Sequence, residues 1–66
     1  MEWFISRQYI AQDKIVTEYW NRDSQSWQVK QGGKGYTQIG AYRLHNKLFS
    51  LCRGLKCLSV SAYKGQ

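Results

Sequence analysis

The hydrophobic and polar positions change period once along the chain. Trp3 to Ile10 is rich in aromatic and β-branched residues and reads as a strand. Ala11-Gln12-Asp13-Lys14 is a turn by composition. Ile15 to Trp20 (Ile-Val-Thr-Glu-Tyr-Trp) is the clearest strand, since these side chains suit a pleated surface. Asn21 to Gln25 supplies a second turn, and Ser26 to Lys30 a short third strand with Trp27 and Val29 on one face. Gln31-Gly32-Gly33-Lys34-Gly35 breaks it.

From Thr37 the period becomes helical. Thr37 can cap a helix over about Gln38 to Arg53, with Gly54 placed as its C′ residue. At 100° per residue, Ala41, Leu44, Leu48, Leu51 and Cys52 gather on one side, with Tyr42, His45 and Phe49 on its shoulder. Arg43, Asn46, Lys47, Ser50 and Arg53 gather opposite. Leu55 to Tyr63 alternates Leu58, Val60 and Ala62 with Ser59, Ser61 and Tyr63, as a half-buried strand does. The expected fold is α+β, of order β-β-β-α-β, with one amphipathic helix on a three- or four-stranded antiparallel sheet. Large apolar residues alternate on both faces of the first two strands, so their register stays open, as does the edge that the last strand joins. If Trp20, Trp27, Val29, Leu58 and Val60 face the helix, the uncovered sheet face takes several of Arg7, Tyr9, Thr17, Tyr19, Gln28, Lys30, Ser59, Ser61 and Tyr63.

Sixty-six residues allow one domain, expected over the whole chain 1–66, with a core worth only a few kcal/mol. An apolar fraction of 42% is too high for a disordered tail, and no apolar run approaches the roughly 20 residues that cross a bilayer. The N-terminus has an early acid, Glu2, and lacks the basic start and apolar middle of a signal peptide. The expectation is a soluble, cytoplasmic protein with no membrane partner.

Charge sharpens that picture. Up to Asp23 there are three cations and four acids, a net −1. From Ser24 onward there are seven cations and no acid, a net +7 over 43 residues. Such asymmetry points to an anionic partner, nucleic acid (DNA or RNA) or an acidic protein surface. Phosphate contacts are expected from Arg43, Lys47 and Arg53 on the helix, with Lys34 and Lys30 before it. Lys34 sits in a glycine loop before a helix N-terminus, where backbone N–H groups attract anions, although the spacing matches neither Walker A nor a dinucleotide fingerprint. Tyr9, Tyr19 and Tyr63, with Arg7 and Lys30, would offer a stacking platform for unpaired bases.

Catalytic chemistry has little material. No Ser/His/Asp spacing is recognisable, the acids show no pairing, and His45 stands alone beside the apolar stripe. His45, Cys52 and Cys57 fall short of a four-ligand zinc set. No enzyme activity, metal or cofactor is expected. Two cysteines in a cytosolic chain are expected free and partly buried, a Cys52–Cys57 disulfide being conceivable on spacing alone.

Gly35-Tyr36-Thr37-Gln38-Ile39-Gly40-Ala41-Tyr42 resembles the aromatic-Thr-x-x-x-Ala entry into the helix of AP2-type and integrase arm-binding domains. Those families place a three-stranded sheet, followed by a helix, in the major groove of DNA. The resemblance covers this segment and the order of elements up to Arg53. The strand after Gly54 and the lack of an Arg-rich strand depart from the pattern. It implies Arg22, Gln28 and Lys30 as DNA contacts. The leading expectation is a non-enzymatic basic protein that binds nucleic acid. The alternative is a small protein-binding regulator or inhibitor of the kind that bacteriophages and mobile elements encode, acting on a host protein or nucleoprotein complex. An exposed strand edge offers a route to a homodimer.

Overall fold

The computed structural model describes residues 2–52 and 57–65. Its elements follow the expected order: β1 (Trp3–Ala11), β2 (Lys14–Asn21), β3 (Ser26–Gln28), α1 (Gln38–Leu51) and β4 (Cys57–Lys64). The four strands form one antiparallel sheet in the order β3-β2-β1-β4, so the last strand joins the free edge of β1. The expected start of β4 at Leu55, the C′ role of Gly54 and the phosphate contact at Arg53 lie outside the described residues.

Pairing settles the register that the sequence left open. Directly opposed residues of an antiparallel pair share a face. Ile5 opposes Ala62, Arg7 opposes both Val60 and Glu18, and Trp20 opposes Trp27. The helix side therefore takes Trp3, Ile5, Arg7 and Tyr9 from β1, with Val16, Glu18 and Trp20 from β2. Phe4, Ser6, Gln8 and Ile10 face away. Ile5 is fully enclosed and sits with Leu48, Cys52 and Val60, while Trp20, Trp27, Leu44 and Cys57 pack around that cluster.

Thr37 caps α1 as expected, its hydroxyl accepting from the Gly40 N–H at 3.1 Å. The entry is anchored by a two-way bridge in which Trp3 and Tyr36 exchange backbone hydrogen bonds, both at 2.8 Å. Gly35 makes this possible: a Cβ there would lie 2.5 Å from the Glu2 Cβ and 2.9 Å from the Trp3 carbonyl oxygen. Ala41, Leu48 and Cys52 are buried as the helical projection requires, and Leu44 is half-buried.

Three apolar positions depart from expectation. Leu51 is 68% exposed, because α1 packs on β4 and β1 and leaves the β2–β3 side of its stripe uncovered. Val29 is 74% exposed, because β3 ends at Gln28 instead of Lys30 and releases the next residue from the ladder. Leu58 is exposed because the β1–β4 register shifts there: Gln8 opposes Ser59 while Tyr9 opposes Cys57, which leaves Leu58 as the extra residue of a bulge.

The cysteines are joined, which corrects the expectation of free thiols. α1 ends where Cys52 meets the core and β4 begins at Cys57, bringing their Cα atoms to 5.8 Å, inside disulfide range. A bridge of this kind persists in oxidising surroundings, so the cysteines lend no support to a cytoplasmic location. Closing so short a loop removes denatured-state entropy worth about 2 kcal/mol. The Cys52→Ser/Cys57→Ser variant should be less stable by about that amount, read as a lower guanidinium midpoint. Reduced wild-type protein should match it, and equal midpoints for oxidised wild type and variant would contradict a stabilising bridge.

Candidate binding site

The offset of α1 towards β1 and β4 opens a groove on its other flank. The groove encloses about 650 Å³ and is walled by Leu44, Leu48 and Leu51 of α1 on one side and by Trp20 and Tyr36 on the other. Trp20 is fixed twice. Its indole N–H donates to the Tyr36 hydroxyl at 2.9 Å, and its ring meets Trp27 edge-on at 5.3 Å between centroids. Arg43 and Lys47, one helical turn apart, stand on the α1 rim, with Gln25 of the β2–β3 turn among the lining residues. The sequence of α1 contains no acid, so neither rim cation has a carboxylate on its own helix.

Arg22 lies at the Tyr36 end. Its guanidinium donates to the Gly35 carbonyl at 2.8 Å and sits 5.4 Å from the Tyr36 ring centroid. These contacts hold the entry to α1, which differs from the DNA-contact role that the segment resemblance implies for Arg22.

The expected site residues divide between separate surfaces. Arg7 lies on the helix side of the sheet, where it donates through Nε and Nη2 to Glu18 Oε1 at 3.1 and 2.7 Å. Its guanidinium lies 4.3 Å from the Trp27 ring centroid and 5.1 Å from that of Tyr9. Arg7 and Tyr9 thus extend the core cover, and the expected platform loses both. Tyr19 and Tyr63 do share the opposite face. Their surroundings on the strands are Ser6, Gln8, Thr17, Ser26, Gln28, Ser59 and Ser61, with no charged side chain among the described strand residues of that face. Tyr63 packs on Phe4 at 6.1 Å between centroids and its hydroxyl donates to Gln31 Oε1. Lys30 and Lys34 are exposed in the connection between β3 and α1.

His45 is structural in its contacts. Its Nε2–H donates to the Val60 carbonyl at 2.8 Å, and its ring stacks on Phe49 at 6.1 Å. Among the described residues no three metal-ligating side chains cluster. No helix of the described residues is long and apolar enough to cross a membrane. The groove escaped the sequence reading because its existence depends on where the helix lands. The signal was Leu51, an apolar residue in the last turn that the stripe includes and the sheet does not reach.

No family model, curated protein or solved structure matches the chain. The resemblance over Gly35 to Tyr42 therefore rests on that segment and on the order of three strands followed by a helix.

Burial raises the Tyr63 hydroxyl above the ordinary phenol value, and its electrostatic interaction with the nearby Tyr19 adds to the effect. The folded state thus holds this proton more tightly than the unfolded chain does. The resulting stability is fully present below the unfolded phenol value of about 10 and is lost as pH rises through the folded one. An alkaline titration followed by phenolate absorbance should show one late-ionising tyrosine, absent in Tyr63→Phe. Persistence of the late step in that variant would assign it to another tyrosine.

Proposed function

We propose that this chain is a non-enzymatic protein-binding module whose contact surface is the groove between α1 and the Trp20–Tyr36 wall. One observation carries the reading: an open groove of about 650 Å³ with leucine and aromatic walls, left uncovered among the described residues. A chain of this size has few apolar side chains to spare, and leaving Leu51 in water costs burial worth roughly 1.5–3 kcal/mol. Contiguous apolar surface bordered by polar groups is the usual mark of a protein contact. Trp, Tyr and Arg, the residue types that dominate binding hot spots, all occur at this groove.

Nucleic acid is the less favoured partner on two counts. Among the described strand residues, the sheet face that keeps Tyr19 and Tyr63 carries no cation to meet phosphates. The two helix cations stand beside leucine side chains that a phosphate backbone would leave poorly solvated. A role as a small regulator or inhibitor acting on a host protein agrees with this groove, because a one-domain chain can occlude a partner's surface without chemistry of its own.

Leu51→Glu should leave stability within about 0.5 kcal/mol of wild type, since the side chain is already in water. The same change should abolish capture of partner proteins from lysate. Ile15→Glu, placed in the β1–β2 hairpin away from the groove, should leave capture intact. Equal capture by wild type and Leu51→Glu would overturn the reading. Binding that disappears on nuclease treatment and follows Arg43→Ala/Lys47→Ala but not Leu51→Glu would assign the surface to nucleic acid.

A further inference from the structure

Resting on the groove reading, we propose that the occupant is an acidic amphipathic helix of a partner protein, lying along α1 with its apolar side chains between Trp20 and Leu44–Leu51 and its carboxylates on Arg43 and Lys47.

Length and spacing support a helix. From Gly40 to Leu51 the α1 wall runs eleven residue steps, roughly 16 Å at 1.5 Å per residue, which is three turns of a partner. Apolar anchors at i, i+4 and i+7 would follow Leu44, Leu48 and Leu51 in the recurrent helix-in-groove manner. An extended segment is disfavoured because the groove presents no free backbone ladder. Trp20 already opposes Trp27, and the Tyr36 backbone is paired with Trp3. A helix brings its own backbone hydrogen bonds and needs only side-chain contacts.

Charge selects the sign. Arg43 and Lys47 share one rim a turn apart, which matches two carboxylates spaced by one turn on the partner. Among the described residues the ion pair recorded is Arg7–Glu18, on β1 and β2, so neither rim cation is paired there. From the β2–β3 turn the neutral amide of Gln25 lines the groove, and the Arg22 guanidinium stands at its Tyr36 end, so that side presents no carboxylate to the occupant among the lining residues. A fatty acid would satisfy the apolar walls but would bring one carboxylate to two cations.

The test uses the full chain and four synthetic helix-forming peptides. The first is acidic and amphipathic. The second has its acids replaced by lysines, the third its leucines by serines, and the fourth is the first with its residues scrambled. Isotope-labelled protein is titrated and its amide shifts are followed. The acidic amphipathic peptide should bind and shift resonances around Trp20, Leu44, Leu48 and Leu51. The serine, lysine and scrambled peptides should each bind at least about tenfold more weakly, the loss expected from removing burial or reversing the rim pairs. The Arg43→Glu/Lys47→Glu variant should reverse the preference and take the lysine peptide.

Failure separates cleanly. If the lysine peptide binds wild type as well as the acidic one and Leu51→Glu abolishes both, the groove reading stands and the acidic partner is overturned. If the acidic peptide binds Leu51→Glu unchanged, it docks outside the groove and both readings fall. No binding of the acidic peptide, with groove shifts produced instead by oleate or by a short DNA duplex, replaces the proposed occupant by a lipid or by nucleic acid.

Discussion

The helix of this protein can cover only half of its sheet, and the rest of the structure answers to that limit. Ile5 on β1 and Val60 on β4 are the points where α1 lands, through Leu48 and Cys52. Everything towards β2 and β3 must be covered by other means. Trp20 and Trp27 lean edge-to-face over that half, and the Arg7–Glu18 pair lies across them with its guanidinium on the Trp27 ring. A half-buried ion pair of this kind adds little net energy in itself. Its stem and planar head nevertheless shield aromatic surface that the helix does not reach. The groove is what remains when this substitute cover stops short of Leu44 and Leu51.

The same offset governs the sheet edges. Gly65 donates its N–H to the Glu2 carbonyl at 2.8 Å, which sets the alternation of the β1–β4 ladder and turns the Val60 carbonyl outward. An open edge of this kind invites another strand. Here His45 reaches from α1 and donates to that carbonyl, while the bulge at Leu58 disturbs the edge one step away. The opposite edge is three residues long. Both edges are thus blunted, which leaves the groove as a concave apolar surface beside them.

The architecture was legible because each element had a local cause. Alternation and β-branching marked the strands, Thr37 marked the helix start, and the stripe of Ala41 and Leu48 marked its buried side. The choice of sheet face was not legible, since Phe4 and Ile5 are equally apolar neighbours. It was settled where the helix lands, Leu48 and Cys52 closing on Ile5 and Val60, a contact between segments that no local spacing announces. Leu51 illustrates a second limit. A projection shows which residues share a side, but not how far the opposing sheet extends beneath them. The disulfide illustrates a third, because the spacing of Cys52 and Cys57 allowed it and only the meeting of a helix end with a strand start brought them to 5.8 Å.

Charge and apolarity were separable in the sequence and are joined in the fold. A net +7 from Ser24 onward describes a tendency to attract anions but names no place on the surface. The fold leaves Lys30 and Lys34 exposed in a connecting segment, where a cation on a flexible stem gains little from one contact. Arg43 and Lys47 differ because a leucine wall adjoins them. An occupant seated on that wall would exclude water from beside the two cations, and the Coulomb term strengthens as the local dielectric falls. The leucines then supply affinity while the cations choose the sign of the partner. That division of labour needs both residue types on one flank of one helix, and the offset of α1 is what leaves that flank open.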